Sequence, residues 1–172
     1  ELGDLFDYFA AQVLGSTAPE VQEFLKCTAL LPAMTAGMAE RLSGREDSEE
    51  LLEDLHRRGV FLDRRNTRPP IYHYHDLFRA FLLTQLQASA TADVLANLQR
   101  RAGALLEEAG QQDHAIRLYL AVKDWQAAKR LILSAAPTLL AQSRIASLRD
   151  WIKALPPGMG AEDPWVDYWL GA

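Results

Sequence analysis

One interruption in an otherwise helical pattern constrains the fold of this chain most strongly. Apolar residues recur at helical spacing on both sides of two β-prone runs, residues 60–62 and 71–74. The polar residues 63–70 between them end in two prolines and predict a β-hairpin with a loop longer than the tight two-residue kind. Three helices, a hairpin and a further helix make up a winged helix, which we predict at about residues 16–88.

Residues with known helix-boundary preferences mark the helices of this module. A lead-in helix over 5–14 precedes a helix that Pro19 opens, since proline is tolerated in a first helical turn. Asp47 with Glu50 predicts a capping box before the third helix of the winged helix. Gly59 is predicted to end that helix, because glycine readily adopts the left-handed conformation found at helix C-termini.

The second half of the chain shows helical periodicity alone. A stretch rich in Ala, Ser and Thr, residues 87–93, is the predicted linker between a first domain, 1–88, and a second, 94–172. Paired helices with short links predict an antiparallel helical-repeat array of the tetratricopeptide type. Three residues are spaced like the small and aromatic positions of that repeat: Gly103, Ala115 and Tyr119. The fold class is therefore mainly α, a winged helix followed by a repeat array.

Several boundaries within this array are also predicted from the sequence. Asp113 and Asp124 are expected to cap two of its helices, and Pro137 is expected to begin a short separate helix. A final helical pattern starts at Asp163 and continues to the last residue, while the first residues already belong to a helical pattern. We therefore expect the chain to be a piece of a longer protein.

Composition and motifs argue against several function classes. A net charge of −5 opposes general binding to nucleic acid or anionic membranes, and a single cysteine, Cys27, excludes an internal disulfide. No apolar run approaches the roughly 20 residues that span a bilayer, and acidic residues stand where a signal peptide would be basic, so we expect a cytoplasmic protein. The chain lacks a Gly-rich phosphate loop, a nucleophile elbow and paired cysteines, so we predict no catalytic residues.

Two histidines near the second β-prone run are candidate metal ligands. His73 and His75 are two residues apart, which places them on one face of a strand. Two imidazoles fall short of the three to four ligands that a stable zinc site requires, and no further ligand has suggestive spacing. The sequence therefore predicts no metal site.

The third helix of the winged helix differs from the recognition helix of a DNA-binding protein. Its first half carries Glu49, Glu50, Glu53 and Asp54, which would be repelled by DNA phosphates. The winged-helix shape is thus expected to contact protein here. A basic patch follows at the end of the helix and in the wing: Arg57, Arg58, Arg64, Arg65 and Arg68. It can meet DNA phosphate, an acidic partner domain or solvent.

A longer motif resembles a known family. The run YHYHDLFRAFL at residues 72–82 is similar to the end of the winged-helix domain in large bacterial ATP-dependent activators of the MalT type. These are signal-transduction NTPases with a LuxR-type helix-turn-helix at the far C-terminus. Supporting stretches are PEVQEFL at 19–25, LLEDL at 51–55, DHAI at 113–116 and DWQAA at 124–128. The resemblance covers nearly the whole chain.

The resemblance implies a nucleotide-controlled regulatory role. In that NTPase class the histidine of a His-Asp-Leu element contacts the β-phosphate of bound ADP and keeps the resting state closed; here it corresponds to His75, with Asp76 bracing the interface between domains. The resemblance implies that the full-length protein binds ATP or ADP with Mg. Its intramolecular partners would be an NTPase domain and a sensor superhelix. It also implies an inducer, self-association, and DNA binding through a separate C-terminal helix-turn-helix. The chain itself would hold no cofactor.

Two other functions fit parts of the sequence. One is a stand-alone winged-helix DNA-binding domain that uses the arginine-rich wing. The other is a tetratricopeptide-type adaptor for protein interactions without any link to nucleotide. Reversing the charge of the wing arginines tests the first, and an upstream phosphate-binding loop in the full-length protein would distinguish the regulatory role from the second.

Overall fold

A computed structural model describes residues 2–156 of the chain, with the side chains of residue 8 and of residues 10–156. The final helix predicted from Asp163 onward lies outside these described residues. The chain divides between Leu98 and Gln99 into two compact units. None of the described helices is long and apolar enough to span a bilayer.

The first unit contains the succession of helices and hairpin that defines a winged helix. Its elements are α1 (Leu2–Gly15), α2 (Pro19–Thr28), α3 (Ala36–Ser43), α4 (Ser48–Arg57), β1 (Leu62–Arg65), β2 (Ile71–Tyr74), α5 (Asp76–Ser89) and the start of α6 (Ala92–Glu108). The two strands pair antiparallel, with Leu62 opposite Tyr74 and Arg65 opposite Ile71. This mainly helical order with one small hairpin confirms the predicted fold class.

The packing of α2 against α5 forms the core of the first unit. Leu25 of α2 and both Phe78 and Leu82 of α5 are fully buried, and the spacing of four between the last two places them on one helix face. Burial of each such side chain stabilises the fold by roughly 1.5–3 kcal/mol. Tyr74 of β2 enters the same core, where its hydroxyl lies 2.8 Å from Thr28 Oγ1. Burial raises the pKa of Tyr74, so the phenol stays neutral.

Gly59 follows the end of helix α4, which confirms the predicted stop. Gly59 has a φ of +67°. The N–H groups of Gly59 and Val60 donate to the carbonyls of His56 and Leu55 at 3.0 and 3.1 Å. These two bonds satisfy the last helical carbonyls. They require a left-handed backbone conformation at this position, which glycine adopts without strain.

The first strand begins two residues later than predicted. β1 starts at Leu62 because Phe61 has a φ of +44° and so interrupts the extended backbone. The ring of Phe61 packs on that of Phe78, with 5.2 Å between centroids, and this contact offsets the cost of a left-handed backbone. The later start places two of the wing arginines, Arg64 and Arg65, inside the strand instead of the loop.

The predicted capping box before α4 is wrong. The carboxylate of Asp47 accepts two hydrogen bonds from the guanidinium of Arg45, at 2.9 Å from Nε and 2.6 Å from Nη2. The hydroxyl of Ser48 donates to the carbonyl of Arg45 at 2.6 Å. A bidentate pair between charged groups is stronger than one bond to a backbone amide, so Asp47 turns to Arg45. The same hydrogen bonds lower the pKa of Asp47.

The second unit contains the rest of α6 and three further described helices. These are α7 (Gln112–Ala121), α8 (Trp125–Ala141) and α9 (Ile145–Ala154). Helix α7 packs on α8, and α8 packs on α9. Gly103 of α6 lies so close to Tyr119 of α7 that a Cβ at this position would be 2.9 Å from the Cε1 atom of the ring. Two of the three residues that matched tetratricopeptide positions are therefore in direct contact.

The two aspartates that were predicted to cap helices of this unit behave differently. Asp124 accepts a hydrogen bond from the N–H of Ala127 at 3.2 Å, which confirms its role as the cap of α8. Asp113 instead lies inside α7 and forms an ion pair with Arg144, which precedes α9, so its predicted role is wrong. A charged partner close in space has replaced the local backbone contact.

Two helices extend further than the sequence predicts. Pro137 begins no separate helix, because α8 continues through it. The backbone bond that proline removes costs about 3 kcal/mol in a helix interior, and burial of Ala136 and Leu139 on the same helix offsets this cost. The predicted linker, residues 87–93, is also mostly helical, since only residues 90 and 91 separate α5 from α6.

Candidate functional site

His75 lies where the wing meets the last helix of the winged helix. It follows β2 directly and precedes the first residue of α5. Its N–H donates to the carbonyl of Phe61 at 2.9 Å, and its carbonyl accepts from the N–H of Arg79 at the same distance. The backbone is therefore held at both ends, while 52% of the side chain is exposed. An imidazole on a fixed backbone at a helix start is well placed to meet a group from outside this unit.

The imidazole of His75 has a carboxylate neighbour on the opposite strand. Its Nε2 atom lies 3.3 Å from Asp63 Oδ2, and Nε2 of His73 lies 3.5 Å from the same oxygen. Asp63 stands directly opposite His73 in the strand register. Across the described residues, no three His, Cys, Asp or Glu side chains are placed to hold a metal ion. The cluster of Asp63, His73 and His75, which we call the wing cluster, is thus an arrangement of hydrogen-bonding and ionic groups.

The aromatic ring of Phe61 borders His75 on another side. The two rings meet edge to face, with 6.2 Å between centroids, and Phe61 is also packed on Phe78. The left-handed backbone of Phe61 is strained for a residue with a side chain, and such strain is concentrated at functional sites. Phe61 therefore limits the positions that the imidazole of His75 can adopt.

Asp76 is the first residue of α5 and is exposed. Its carboxylate stands at the positive end of the helix dipole, which favours an anion at this position. Arg79 follows one turn later, half-buried, and its Nε atom is buried without a hydrogen-bond partner among the described residues. Burial lowers the pKa of Arg79, and the nearby charge of Asp76 opposes that shift. Arg79 was missed in the sequence because a single arginine in an amphipathic helix has no distinguishing pattern.

Three of the five predicted patch arginines are paired with acids of α4. Arg57 Nη2 lies 3.5 Å from Asp54 Oδ1, and Arg58 Nε lies 2.8 Å from Asp54 Oδ2. Arg64 Nε lies 2.8 Å from Glu53 Oε1. The acidic residues that make α4 unsuitable for DNA thus also neutralise most of the wing patch.

The other two patch residues, Arg65 and Arg68, are exposed on the wing. Within the part of the chain that the structure describes, neither guanidinium has an ion pair or hydrogen bond. Asn66 between them accepts a hydrogen bond from Arg64. The five-residue patch predicted from the sequence is therefore reduced to two unpaired cations near the tip of the hairpin.

One further histidine has a structural role that the sequence did not indicate. The Nδ1 atom of His56 lies 3.0 Å from the carbonyl oxygen of Leu62, so it joins the end of α4 to the start of β1. This contact depends on the turn at Gly59, which brings the two elements side by side. It helps to hold the strand that carries Asp63.

A cavity of about 180 Å³ lies within the second unit, between α7 and α8. Polar side chains of Gln112, Thr138 and Gln142 surround it, and Leu139 contributes apolar surface. The ion pair of Asp113 and Arg144 forms another part of its lining. It shares no residue with the wing cluster, so the two are separate features of the molecule.

Comparison with known proteins agrees with the winged-helix geometry. Residues 10–94 match the family model described as the MalT winged helix domain. The chain is also similar to the serine/threonine-protein kinase PknK of Mycobacterium tuberculosis (strain CDC 1551 / Oshkosh), with 30% identity over 155 residues. That alignment covers 90% of this chain but 14% of the relative, so the chain spans a small part of the length of the curated relative it matches. The match over residues 10–94 shows that the first unit is similar to the MalT winged helix domain.

Proposed function

We propose that this chain is a regulatory module without catalytic activity of its own, and that its winged helix stabilises the ADP-bound resting state of an NTPase domain in the full-length protein. The observation that carries the proposal is the placement of His75. Its backbone is fixed by two hydrogen bonds, and its half-exposed imidazole stands at the start of α5.

The chemistry of this position suits a phosphate. The first turn of a helix presents N–H groups without intrahelical acceptors, and the helix dipole favours an anion there. The imidazole of His75 adds a donor beside them. In this proposal His75 contacts the β-phosphate of ADP, while Asp76 braces the interface with the NTPase domain.

The free energy of one such hydrogen bond is sufficient to switch the protein between two forms. A hydrogen bond to a charged group contributes about 1.5–3 kcal/mol, which shifts an equilibrium between closed and open forms by roughly 10- to 150-fold. Exchange of ADP for ATP, with its Mg ion held by the NTPase domain, would remove or alter this contact. The protein would then favour the open form.

The second unit supplies the other half of the proposal. We propose that its helices lead into a C-terminal superhelix that binds an inducer, and that this binding favours the ATP-bound, self-associated protein in the cytoplasm. The mycobacterial relative is named a protein kinase, so modules of this kind are joined to more than one output. We propose a transcriptional output here because residues 10–94 match the winged helix of MalT. DNA would be bound by a separate C-terminal helix-turn-helix.

Nucleotide occupancy of the full-length protein tests the proposal. Wild type, His75→Ala and the control His114→Ala in the second unit are purified without added nucleotide, and the bound nucleotide is identified by chromatography after denaturation. We expect wild type and His114→Ala to carry ADP, and His75→Ala to lose it or to be active without inducer. If wild type carries no nucleotide, or if His75→Ala retains ADP to the same extent as wild type, the proposal is wrong and an adaptor role is favoured.

DNA binding by the wing is the second candidate, and the two unpaired arginines favour it. Arg65 and Arg68 are exposed, and arginine is one of the side chains that most often contact DNA phosphates. The ion pairs of Arg57, Arg58 and Arg64 with α4 argue against it, because these cations already have anionic partners. Two cations release few counterions, so any such binding would be weak and salt-sensitive.

A further inference from the structure

The wing cluster places one carboxylate oxygen between two imidazoles. Asp63 Oδ2 lies 3.3 Å from Nε2 of His75 and 3.5 Å from Nε2 of His73. Asp63 and His75 are each about half exposed, whereas 31% of the His73 side chain is exposed. The two more exposed groups have room to rearrange, and His73 is held by its position in the strand.

We propose that Asp63 is a positioning residue for His75: its carboxylate holds the imidazole at the wing and competes with phosphate for it, and His73 keeps the carboxylate paired when His75 leaves. This inference rests on the proposed function, because the phosphate is that of the nucleotide. It adds two residues, Asp63 and His73, to which no role in nucleotide sensing was assigned.

Competition follows from the chemistry of the two anions. A carboxylate and a phosphate are both negatively charged acceptors, and each would take the same Nε2 donor of His75. A phosphate near His75 would also lie close to Asp63, where like charges repel each other. At about 4 Å in water the repulsion between two unit charges corresponds to roughly a five-fold change in an equilibrium constant.

Other groups around the imidazole restrict how it can move. Because the N–H and carbonyl of His75 are bonded to Phe61 and Arg79, movement is confined to side-chain torsions. The edge-to-face contact with Phe61 limits these torsions further. The charged residues on its own helix are Asp76, which is exposed, and Arg79, which is half-buried. A small rotation of His75 from the carboxylate is the change that the fixed backbone allows.

His73 reduces the cost of that rotation. If His75 turned away and Asp63 had no other partner, the carboxylate would lose its contact with an imidazole. His73 stands opposite Asp63 in the ladder and already contacts the same oxygen, so the carboxylate stays paired. The inference therefore predicts opposite effects for changes at Asp63 and His73.

Dissociation of ADP from the full-length protein is the first test. Asp63→Asn keeps the size of the side chain and removes its charge, so we expect ADP to dissociate about five-fold more slowly than from wild type. His73→Gln leaves His75 as the single imidazole partner of Asp63, so we expect faster dissociation. In the His75→Ala background Asp63→Asn should slow ADP dissociation less than in wild type, because competition for the imidazole is then absent and only the charge repulsion remains. Asp54→Asn, an acid of α4 paired with Arg57 and Arg58, is the matched control and should leave the rate unchanged.

A second measurement uses the 172-residue chain and does not depend on the nucleotide. Inorganic phosphate is titrated into wild type and Asp63→Asn while the imidazole NMR signals of His75 are followed, with those of His114 in the second unit as the internal control. We expect the His75 signals to respond at several-fold lower phosphate concentration in Asp63→Asn, with no change at His114.

The two tests separate the inference from the proposed function. Suppose that His75→Ala changes ADP retention, but that Asp63→Asn neither slows ADP dissociation nor lowers the phosphate concentration at which the His75 signals respond. The role of Asp63 is then wrong, and the nucleotide switch stands. If His75→Ala has no effect on ADP, the nucleotide switch is wrong. In that case, if Asp63→Asn responds to the same phosphate concentration as wild type, the competition between Asp63 and phosphate is wrong as well. A response at lower phosphate concentration supports that competition at His75.

Discussion

The hydroxyl of Tyr72 donates a 2.6 Å hydrogen bond to Oε1 of Glu53, and this bond joins the wing to helix α4. Tyr72 is otherwise buried, and the same carboxylate oxygen lies 2.8 Å from Arg64 Nε. The contact links residues 19 positions apart in sequence. It therefore positions the strand pair that carries the wing cluster.

Removal of this hydroxyl should destabilise the winged helix. We expect Tyr72→Phe to lower the free energy of unfolding by about 1–2 kcal/mol, because a part-buried hydrogen bond to a charged group is lost while the ring still fills its place. Urea denaturation followed by circular dichroism at pH 7 measures the change. Equal stability of Tyr72→Phe and wild type would show that the bond between wing and helix contributes nothing net.

The same carboxylate should make stability depend on pH. The hydrogen bond from Tyr72, together with the charge of Arg64, lowers the pKa of Glu53. The folded protein then binds fewer protons than the unfolded chain between the two pKa values, so this contribution is complete above the ordinary glutamate pKa of about 4.3. It is lost as the pH falls below that value and through the pKa of the folded state.

We therefore expect the difference in stability between wild type and Glu53→Gln to be largest near neutral pH and to shrink below about pH 4.3. Urea midpoints measured at intervals between pH 7 and pH 3 give this difference. Glu49→Gln, on the exposed side of the same helix, controls for the loss of a charge on α4. A difference that grew on acidification would contradict the assigned cause.

Because Gly103 lies against Tyr119, a larger residue at position 103 should destabilise the second unit. A Cβ at position 103 would approach the ring of Tyr119 to 2.9 Å. We expect Gly103→Ala to lower the free energy of unfolding by about 1–3 kcal/mol, despite the better helix propensity of alanine. Gly37→Ala is the matched control in α3, where a Cβ would meet Thr35 Oγ1 at 4.0 Å, and it should be neutral or stabilising. Equal effects at the two sites would argue against the close packing of α6 on α7.

The end of α7 offers a stabilising substitution. Lys123 has a φ of +58°, and the N–H groups of Lys123 and Asp124 donate to the carbonyls of Leu120 and Tyr119, as at a glycine helix end. A residue with a side chain pays roughly 1 kcal/mol for this conformation, so we expect Lys123→Gly to raise stability by up to that amount. Ala121→Gly, within the same helix, should instead lower it by about 0.5–1 kcal/mol. Thermal denaturation of wild type and the two variants shows whether Lys123→Gly is more stable, and Ala121→Gly less stable, than wild type.

Charge reversal at the wing tip tests the DNA-binding candidate. We expect Arg65→Glu with Arg68→Glu to leave stability within about 0.5 kcal/mol of wild type, because both side chains are exposed and unpaired among the described residues. Retention of the chain on immobilised duplex DNA at low salt should also be unchanged. A clear loss of retention in the double variant would instead support a DNA contact through the wing.

Much of the local structure could be predicted from the sequence by itself, because it depends on neighbours in the chain. The order of helices and hairpin follows from periodicity, and both the left-handed stop at Gly59 and the cap at Asp124 are confirmed. Such contacts span three to five residues, and they form wherever the chain turns in that way. The motif that contains His75 and Asp76 was also visible in the sequence.

Only the tertiary structure decided which partner each charged group takes. Asp47 and Asp113 were predicted to cap helices, but arginines close in space provide stronger charge-assisted bonds. The pairing of Asp63 with His75 depends on the strand register and on the left-handed Phe61, which makes β1 start two residues later than predicted; hydrophobic periodicity cannot locate that residue. The sequence thus determined the order of the elements through local geometry, whereas the contacts around the candidate site depend on distances between elements that exist only in the folded chain.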